Sequence, residues 1–426
     1  MATNVIQKVK GTRDFYPEQM AFRQWLYGKI RAVSEKYGYV EYDGPEIELM
    51  ELYTSKTSEE IVREQAFTMQ DRDGRALALR PELTPTLARM IAQKGEELQF
   101  PLRWYSFGRA WRYEQPQKGR GREFFQWEID ILGVKTPEAD AEILAIAADY
   151  FRAVGLTPEE VVIRVSDRSF LEETFASFGI GGDQFKPVLR VIDRKEKVSA
   201  QEFAAGLKAE GLNDEQVAQI NDFFDRADYS GSEWLVRLFE TLKNFEGVSD
   251  YIVFDPIIAR GFDYYTGVVF EAWDRTGQFT RSLFGGGRFD NLTATFGGKQ
   301  IPAQGMAPGD MPIEVLLRQF NKMPDLKVKT ADVLVTVFSS EQIAQSQKLA
   351  GELRQVGLDV ELWPDDSIKM GKQLDYANKR GIPAVAIIGP GEAERGAVTL
   401  KWLATGEQTE VARDNVADKL REASNA

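Results

Sequence analysis

Residues 112–130 read RYEQPQKGRGREFFQWEID, and this stretch decides the fold of the longer part of the chain. Polar and apolar side chains alternate on either side of a segment rich in glycine, lysine and arginine. The pattern predicts two strands, 102–113 and 123–133, because a period of two is typical of strands. The basic, glycine-rich segment between them predicts an antiparallel hairpin with a long loop suited to a function.

The alternation also predicts which side chains of the hairpin share a face. Arg112 and Glu114 share one face of the first strand, and Arg120 lies in the loop. Guanidinium groups on a strand and on a loop suit a bent triphosphate. The returning strand presents Gln126, Glu128 and Asp130 on one face, and its glutamine and aspartate suit a small polar ligand. Taken alone, the pattern fits a surface hairpin with solvated charges equally well.

The flanking sequence predicts both helices and strands. A helix is expected to begin at Pro17 and to end before Gly38, since proline favours the first turn and glycine the end. Residues 168–245 are charged and largely helical by pattern, and we interpret them as an insertion. The other elements expected in this part of the chain are strands at 76–80, 250–254 and 267–273, a helix at 138–153 and a glycine-rich turn at 285–288.

The C-terminal part of the chain follows a different pattern, in which strands and helices alternate. Such alternation predicts a small, mostly parallel α/β domain. The expected elements are strands at 333–338, 360–363 and 384–388 and helices at 341–356 and 367–380.

Composition excludes several kinds of chemistry. The 426 residues suffice for two or three domains, and they include no cysteine and no histidine. Thiol catalysis, disulfides and histidine general bases are therefore excluded. The net charge of −13 argues against a surface that binds nucleic acid everywhere, although local basic patches remain compatible with it. No apolar run reaches the roughly 20 residues of a membrane span, so a cytoplasmic protein without membrane contact is expected.

A second informative stretch, residues 259–267, reads ARGFDYYTG. Arg260, Asp263 and the pair Tyr264–Tyr265 crowd a guanidinium, a carboxylate and two phenols into six residues. This cluster suits an anionic group held beside a polar ring. An aromatic-rich strand that packs its tyrosines in the core is the alternative.

A third stretch, residues 80–84, reads RPELT and follows the strand expected at 76–80. Glu82 and Thr84 place a carboxylate and a hydroxyl two residues apart at a strand end, where they can bind an ammonium group. An ordinary turn with a helix cap would look the same.

Together these stretches resemble the histidyl-tRNA synthetases. Residues 112–130 resemble motif 2 of class II aminoacyl-tRNA synthetases, and residues 259–267 resemble the histidyl signature. The resemblance implies an α+β catalytic domain with an antiparallel sheet at 1–325, which contains the helical insertion 168–245. It also implies an α/β anticodon-binding domain at 326–426, where a generic α/β domain is the alternative.

The resemblance implies ATP as a substrate and Mg²⁺ as a cofactor. By this likeness Arg112 contacts the α-phosphate and the substrate carboxylate, Glu114 the adenine amino group, and Arg120 the terminal phosphates. Arg260 joins Arg112 as a catalytic residue that stabilises charge on the α-phosphate. Gln117 lies where the family contacts the tRNA acceptor end. No metal ligand is assigned.

For L-histidine, the resemblance implies a binding site made of six side chains. The first two would hold the α-amino group, the next the backbone groups, and the others the imidazole pocket: Glu82, Thr84, Gln126, Asp130, Tyr264 and Tyr265. An acid beside one ring nitrogen selects the protonated form of that nitrogen and so discriminates histidine from apolar side chains.

The implied function is activation of histidine to histidyl-adenylate and its transfer to the 3′ end of tRNA(His) by a homodimer. Two positions depart from the family pattern. Pro312 stands where the family carries the motif 3 arginine, and Phe289 stands where it carries a tyrosine. These departures favour the alternative of a synthetase-like subunit that senses histidine without charging tRNA, whereas the complete motif 2 and the C-terminal domain oppose it.

Overall fold

The computed structural model describes residues 5–54, 65–258, 264–326, 328 and 331–424. Contacts between residues divide the chain into two compact units, Met1–Leu326 and Lys327–Ala426. Among the described residues, every helix is too short or too polar to cross a bilayer.

The first unit is organised by an eight-stranded sheet and a three-stranded sheet. The larger sheet has the order β1-β5-β6-β11-β10-β9-β7-β8, in which only β1–β5 and β7–β8 pair in parallel. The smaller sheet has the order β2-β4-β3. The strands are β1 (Val40–Glu41), β2 (Ile47–Leu49), β3 (Phe67–Gln70), β4 (Ala76–Leu79), β5 (Leu102–Trp111), β6 (Glu123–Leu132), β7 (Val161–Asp167), β8 (Ile252–Phe254), β9 (Val268–Asp274), β10 (Phe284–Arg288) and β11 (Ala303–Met306).

The predicted hairpin of β5 and β6 is confirmed, and it runs through the centre of the site described below. The two strands pair in antiparallel register from Leu102 opposite Leu132 to Trp111 opposite Glu123. The first strand therefore ends two residues earlier than predicted. The backbone N–H of Arg112 donates to the carbonyl of Arg122, which brings the two sides of the loop together beyond the sheet.

An apolar core forms where the large sheet meets the helix Pro137–Ala153. Thr136 caps this helix by accepting a hydrogen bond from the N–H of Ala139, and most of the helix is buried because it is rich in alanine and branched apolar residues. The α-helices of this unit are Pro17–Lys36, Glu51–Thr54, Thr84–Lys94, Pro137–Ala153, Arg168–Ser177, Phe185–Ile192, Ala200–Ala209, Asp214–Arg226, Glu233–Leu242, Leu292–Thr295 and Asp310–Gln319.

Residues between β7 and β8 are helical, as predicted for 168–245, and most of these helices share an apolar core of their own. Asp167 starts the first of these helices by accepting hydrogen bonds from the N–H groups of Ser169 and Phe170. The core of this segment contains Phe175, Leu189 and Ile220, all well buried.

The glycine-rich stretch 285–288 is a strand, so the prediction of a turn is wrong there. The strand requires glycine at positions 286 and 287 because neighbouring groups leave no room for a Cβ atom. A Cβ on Gly287 would lie 2.7 Å from the ring of Tyr265, and one on Gly286 would clash with the carbonyl of Gly305 and the ring of Phe270. These neighbours are distant in sequence, so the local pattern did not reveal them.

The second unit is a mixed α/β layer whose sheet has the order β13-β12-β14-β15-β16. The parallel arrangement was predicted correctly for the first three strands. It is wrong for β15 and β16, which form an antiparallel hairpin closed by hydrogen bonds between Trp402, Gly406 and Glu407. The strands are β12 (Val333–Val335), β13 (Val360–Leu362), β14 (Ala384–Ile387), β15 (Ala397–Trp402) and β16 (Gln408–Ala412); the α-helices are Ile343–Gln355, Met370–Arg380, Pro390–Arg395 and Val416–Ser424.

Candidate active site

A cavity of about 1100 Å³ opens on the large sheet of the first unit. Arg260 and Asp263 lie outside the described residues, and Gln117 is not part of the lining. Nine of the predicted site residues line the cavity together: Glu82, Thr84, Arg112, Glu114, Arg120, Gln126, Asp130, Tyr264 and Tyr265.

One side of the cavity, which we call the carboxylate end, is formed by Glu82, Thr84, Glu128 and Asp130. All four side chains are buried. The hydroxyl of Thr84 donates to Oε1 of Glu128, which joins the start of the helix Thr84–Lys94 to strand β6. Three buried carboxyl groups therefore line one part of the cavity.

Burial changes the protonation of this end. Desolvation raises the pKa of Glu128 to about 7, and the nearby Glu82 carboxylate adds to the rise. Desolvation, followed by the charge of Glu128, holds the pKa of Asp130 well above its usual range. Among the described residues, Oδ2 of Asp130 and Oε2 of Glu128 have no hydrogen-bond partner, which is unusual for buried polar atoms.

Asp130 is seated against a glycine on the neighbouring strand. Gly305 of β11 pairs with Asp130 of β6, and a Cβ at position 305 would clash with Oδ1 of Asp130 and lie 2.8 Å from the carbonyl of Ile129. Only glycine leaves room for the carboxyl group there.

Gln126 lies on the same face of β6 as Glu128 and Asp130, as the alternation predicted. Its Nε2 donates to the carbonyl of Ala307 at 3.1 Å. Its buried Oε1 has no partner among the described residues. The amide is thus fixed with an acceptor left for a ligand.

The two tyrosines close this end with an aromatic wall. The rings of Tyr264 and Tyr265 lie 4.7 Å apart, and Tyr264 meets the edge of Phe289 at 6.2 Å. Phe289 itself is buried and offers no hydroxyl. The backbone of Tyr265 is held by Nη1 of Arg168, which donates to its carbonyl at 2.9 Å.

A second group of lining residues, which we call the guanidinium end, consists of Arg112, Glu114, Arg120 and Arg281. Arg112 and Glu114 follow β5 instead of belonging to it, yet both line the cavity. Nε of Arg112 donates to the carbonyl of Pro81 at 3.0 Å, and Nη1 of Arg120 pairs with Oε2 of Glu114 at 3.0 Å. Three guanidinium groups and one carboxylate therefore face a single space.

Gln117 lies in a tight turn of the hairpin loop, where its backbone is bridged to Arg120 by two hydrogen bonds. Its side-chain Oε1 accepts a hydrogen bond from Nη2 of Arg281. The alternation places Glu128 on the shared face without indicating a role for it. Arg281 is not predicted from the sequence, since nothing in the local pattern around 281 indicates a site.

An N-terminal segment holds the guanidinium end in place. Nη1 of Arg13 pairs with Oδ2 of Asp310 at 2.9 Å, and the carbonyl of Gly11 accepts from the N–H of Arg122 at 2.8 Å. Oδ1 of Asp310 accepts from the N–H of Phe125 at 3.0 Å. Asp310, the first residue of its helix, thus ties the hairpin to the position of Pro312.

A largely antiparallel sheet whose hairpin lines such a cavity, with arginines at one end and carboxylates at the other, defines the catalytic domain of a class II aminoacyl-tRNA synthetase. A sequence model described as histidyl-tRNA synthetase matches residues 11–309, and one described as anticodon binding domain matches residues 332–423. The chain belongs to the histidyl-tRNA synthetase family.

Individual relatives agree over nearly the full length. The chain is 38% identical over 428 residues to a histidine–tRNA ligase of Leptospira biflexa, covering 98% of this chain and 97% of the relative. It is 36% identical to a histidine–tRNA ligase of Pyrococcus abyssi, covering 99% and 100%. The crystal structure of histidyl-tRNA synthetase from Nostoc sp. PCC 7120 superposes with a TM-score of 0.79 at 28% identity, covering 99% and 100%.

Proposed function

We propose that the chain activates L-histidine with ATP and transfers the histidyl group to the 3′ end of tRNA(His). Membership of the histidyl-tRNA synthetase family over nearly the full length supports this activity. The observation that carries the proposal is the cavity itself, which places Glu82 and Asp130 in one space with Arg112 and Arg120. An amino acid and a triphosphate need these opposite charges.

Histidine occupies the carboxylate end in this proposal. Glu82 and Thr84 hold its ammonium group, and Gln126 contacts its backbone groups. Asp130 accepts from one imidazole nitrogen, while Tyr265 bonds the other and Tyr264 lines the pocket. Support comes from Oε1 of Gln126 and Oδ2 of Asp130, buried atoms that lack a partner among the described residues and that a ligand would satisfy.

ATP occupies the guanidinium end. Arg112 contacts the α-phosphate and the histidine carboxylate, Glu114 the adenine amino group, and Arg120 the terminal phosphates. A carboxylate oxygen of histidine attacks the α-phosphorus, and the bond to pyrophosphate breaks. Positioned guanidinium groups in a water-poor site stabilise the charge that develops there. We assign the same task to Arg260 from its sequence motif.

The residues present fit Mg²⁺ bound mainly through the nucleotide. Glu114 and Glu271 line the cavity, and the described residues contain no group of three or more acidic side chains that could hold a metal alone. Mg²⁺ commonly binds one or two carboxylates together with substrate phosphates. When bound, it would neutralise phosphate charge.

We further propose that residues 1–325 form the catalytic domain with the insertion 168–245, and that 326–426 bind the anticodon of tRNA. The match of 332–423 to anticodon binding domains supports the second assignment. Gln117 is proposed to contact the acceptor end of tRNA. We also propose that the protein is a cytoplasmic homodimer, and the likeness to histidyl-tRNA synthetases supports this proposal.

Histidine-dependent exchange between ATP and pyrophosphate tests the proposal, with Arg260→Ala as the comparison variant. Exchange with histidine and not with other amino acids, lost in the variant, is expected; charging of tRNA(His) then completes the test. Histidine binding without exchange would contradict the proposal and support the sensor alternative. The match to histidine–tRNA ligases over both units makes that alternative the less supported one.

A further inference from the structure

Pro312 contributes no positive charge to the cavity wall, where binding of ATP would use one. Pro312 lines the cavity in the first turn of the helix Asp310–Gln319, and its ring offers neither charge nor a donor. A triphosphate carries several negative charges, which guanidinium groups bind with particular strength. Another side chain would have to supply the positive charge in this part of the cavity.

Arg281 is well placed to do so. It lies in the connection between β9 and β10 and lines the same cavity as Arg112 and Arg120. Nη2 donates to Oε1 of Gln117, whereas Nη1 is buried without a hydrogen-bond partner among the described residues. A buried guanidinium nitrogen with no acceptor is an unsatisfied hydrogen-bond donor, and a ligand can satisfy it.

The connection that carries Arg281 meets both the hairpin loop and the Pro312 helix. A Cβ on Gly119 would lie 2.9 Å from the ring of Phe279 and 3.9 Å from Cα of Pro312. Arg281 is two residues from Phe279, and its partner Gln117 is two residues from Gly119. Arg281 and Pro312 thus line the same cavity, on segments that both approach the hairpin loop at Gly119.

Backbone anchoring fixes this connection to the same helix. Oδ2 of Asp274 accepts from the N–H of Phe279 at 2.8 Å and from Nε2 of Gln319 at 2.8 Å. Oδ1 of Asp274 accepts from the N–H of Thr276 at 2.8 Å. Hydrogen bonds thus hold the connection that carries Arg281 in place, so little conformational entropy would be lost when Arg281 binds a ligand.

Charge balance also favours Arg281 as a free cation. Among the described residues it makes no ion pair, since its hydrogen-bond partner is the neutral amide of Gln117. Arg120, in contrast, is already paired with Glu114. A phosphate approaching this end therefore meets in Arg281 a guanidinium that pairs with no carboxylate in the described part of the chain.

We propose that Arg281 binds the terminal phosphates of ATP and supplies the cation that Pro312 cannot. This inference rests on the proposed use of ATP and extends it to a residue that the family motifs do not mark. Gln117 then acts as a positioning residue, because its amide holds one edge of the guanidinium and leaves the other edge free for phosphate oxygens.

The first test is Arg281→Gln in histidine-dependent ATP–pyrophosphate exchange. We expect KM for ATP and KM for pyrophosphate to rise about tenfold or more, because a charge-assisted contact to phosphate is lost. The dissociation constant for histidine, measured without ATP, should stay unchanged. Arg275→Gln is the matched control, since Arg275 is an exposed arginine of the same connection whose side chain donates to the carbonyl of Asp250 and does not line the cavity.

The second test is rescue. Arg281→Gln combined with Pro312→Arg should recover much of the lost ATP affinity, and Arg281→Lys should keep part of it. An unchanged KM for ATP in Arg281→Gln would overturn the proposal. So would a rise that is matched by weaker histidine binding, or one that neither Pro312→Arg nor Arg281→Lys reduces, because either result assigns Arg281 a purely structural role. Exchange by the unmodified chain shows separately whether the proposed function holds.

Discussion

The carboxylate end and the guanidinium end of the cavity are built in opposite ways. Glu128 and Asp130 are about 1% exposed on a central strand, whereas the Arg120 side chain is 53% exposed on a loop. With a rise of about 3.3 Å per residue, Asp130 lies roughly 20 Å along β6 from the loop. The carboxylates of one end are buried in the sheet, whereas Arg120 at the other end is exposed and Arg112 and Arg281 are half-buried.

This difference indicates which kind of ligand each end of the cavity suits. A buried carboxylate recognises a ligand by exact pairing, since an unsatisfied charge there is costly. Exposed guanidinium groups attract phosphate over a distance and tolerate small shifts, but water and salt weaken each contact. We therefore propose that the buried end selects the amino acid and that the guanidinium end binds the nucleotide.

The largest effect should come from Asp130→Asn, which keeps the shape of the buried end and replaces the carboxyl group of Asp130 by an amide. We expect kcat/KM for histidine in the exchange reaction to fall about 1000-fold, or roughly 4 kcal/mol, because the carboxylate that pairs with the imidazole is lost. The dissociation constant for ATP should not change. Asp149→Asn is a matched control, since Asp149 bonds Tyr37 and Arg152 outside the cavity. A drop below tenfold would show that the two ends share histidine recognition.

The protonation of the buried end gives the second prediction. The pKa of Glu128 is about 7 in the folded chain and about 4.5 when unfolded, so the folded state binds this proton more tightly. Its stabilising effect is complete below about pH 4.5 and is lost as pH rises through 7. At about 1.4 kcal/mol per pKa unit, the loss is on the order of 3 to 4 kcal/mol at most.

Glu128→Gln mimics the protonated carboxyl group and should remove this loss. The melting temperature of the ligand-free variant is expected to exceed that of the unmodified chain at pH 8 and to approach it at pH 5. Glu114→Gln, at the guanidinium end, should leave the difference between pH 5 and pH 8 unchanged. Parallel pH profiles for the unmodified chain and Glu128→Gln would mean that the buried carboxyl is ionised with little cost.

Gly305→Ala tests whether the space beside the carboxyl group of Asp130 is too small for a methyl group. The added methyl group would clash with Oδ1 of Asp130. We expect a loss of about 2 kcal/mol in the free energy of unfolding, typical of overpacking, together with a higher KM for histidine. Gly28→Ala is the control, because a Cβ there meets nothing within 4 Å on the helix Pro17–Lys36. It should be neutral or slightly stabilising. A harmless Gly305→Ala would show that β11 can move away from β6.

The same contrast explains what the sequence could predict. The shared face of Gln126, Glu128 and Asp130 followed from a period of two, which is local information. Arg281 could not be found that way, because its contact with Gln117 spans 164 residues and depends on how two loops meet. Likewise, the strand at 285–288 reads as a turn until Tyr265 and Phe270 are placed against its glycines. Local rules give elements and faces, whereas contacts between distant loops need the fold.

Arg120→Gln should have the smallest effect. The guanidinium group is exposed and already paired with Glu114, so its net contribution to ATP binding should be about 1 kcal/mol, or roughly a fivefold rise in KM for ATP. Higher salt should shrink the difference from the unmodified chain, because exposed charges are screened over about 10 Å at 0.1 M salt. Arg226→Gln removes another exposed arginine paired with a neighbouring acid and should leave KM unchanged.

The salt dependence is the deciding measurement for Arg120. A fivefold effect that persists at high salt would mean that Arg120 becomes buried against the phosphates, so that the hairpin loop closes over ATP. The guanidinium end would then be open only before the nucleotide arrives, and its contrast with the carboxylate end would describe the empty cavity alone. An effect that vanishes with salt would instead keep the two ends distinct throughout the reaction, with affinity for the triphosphate shared between Arg112 and Arg281.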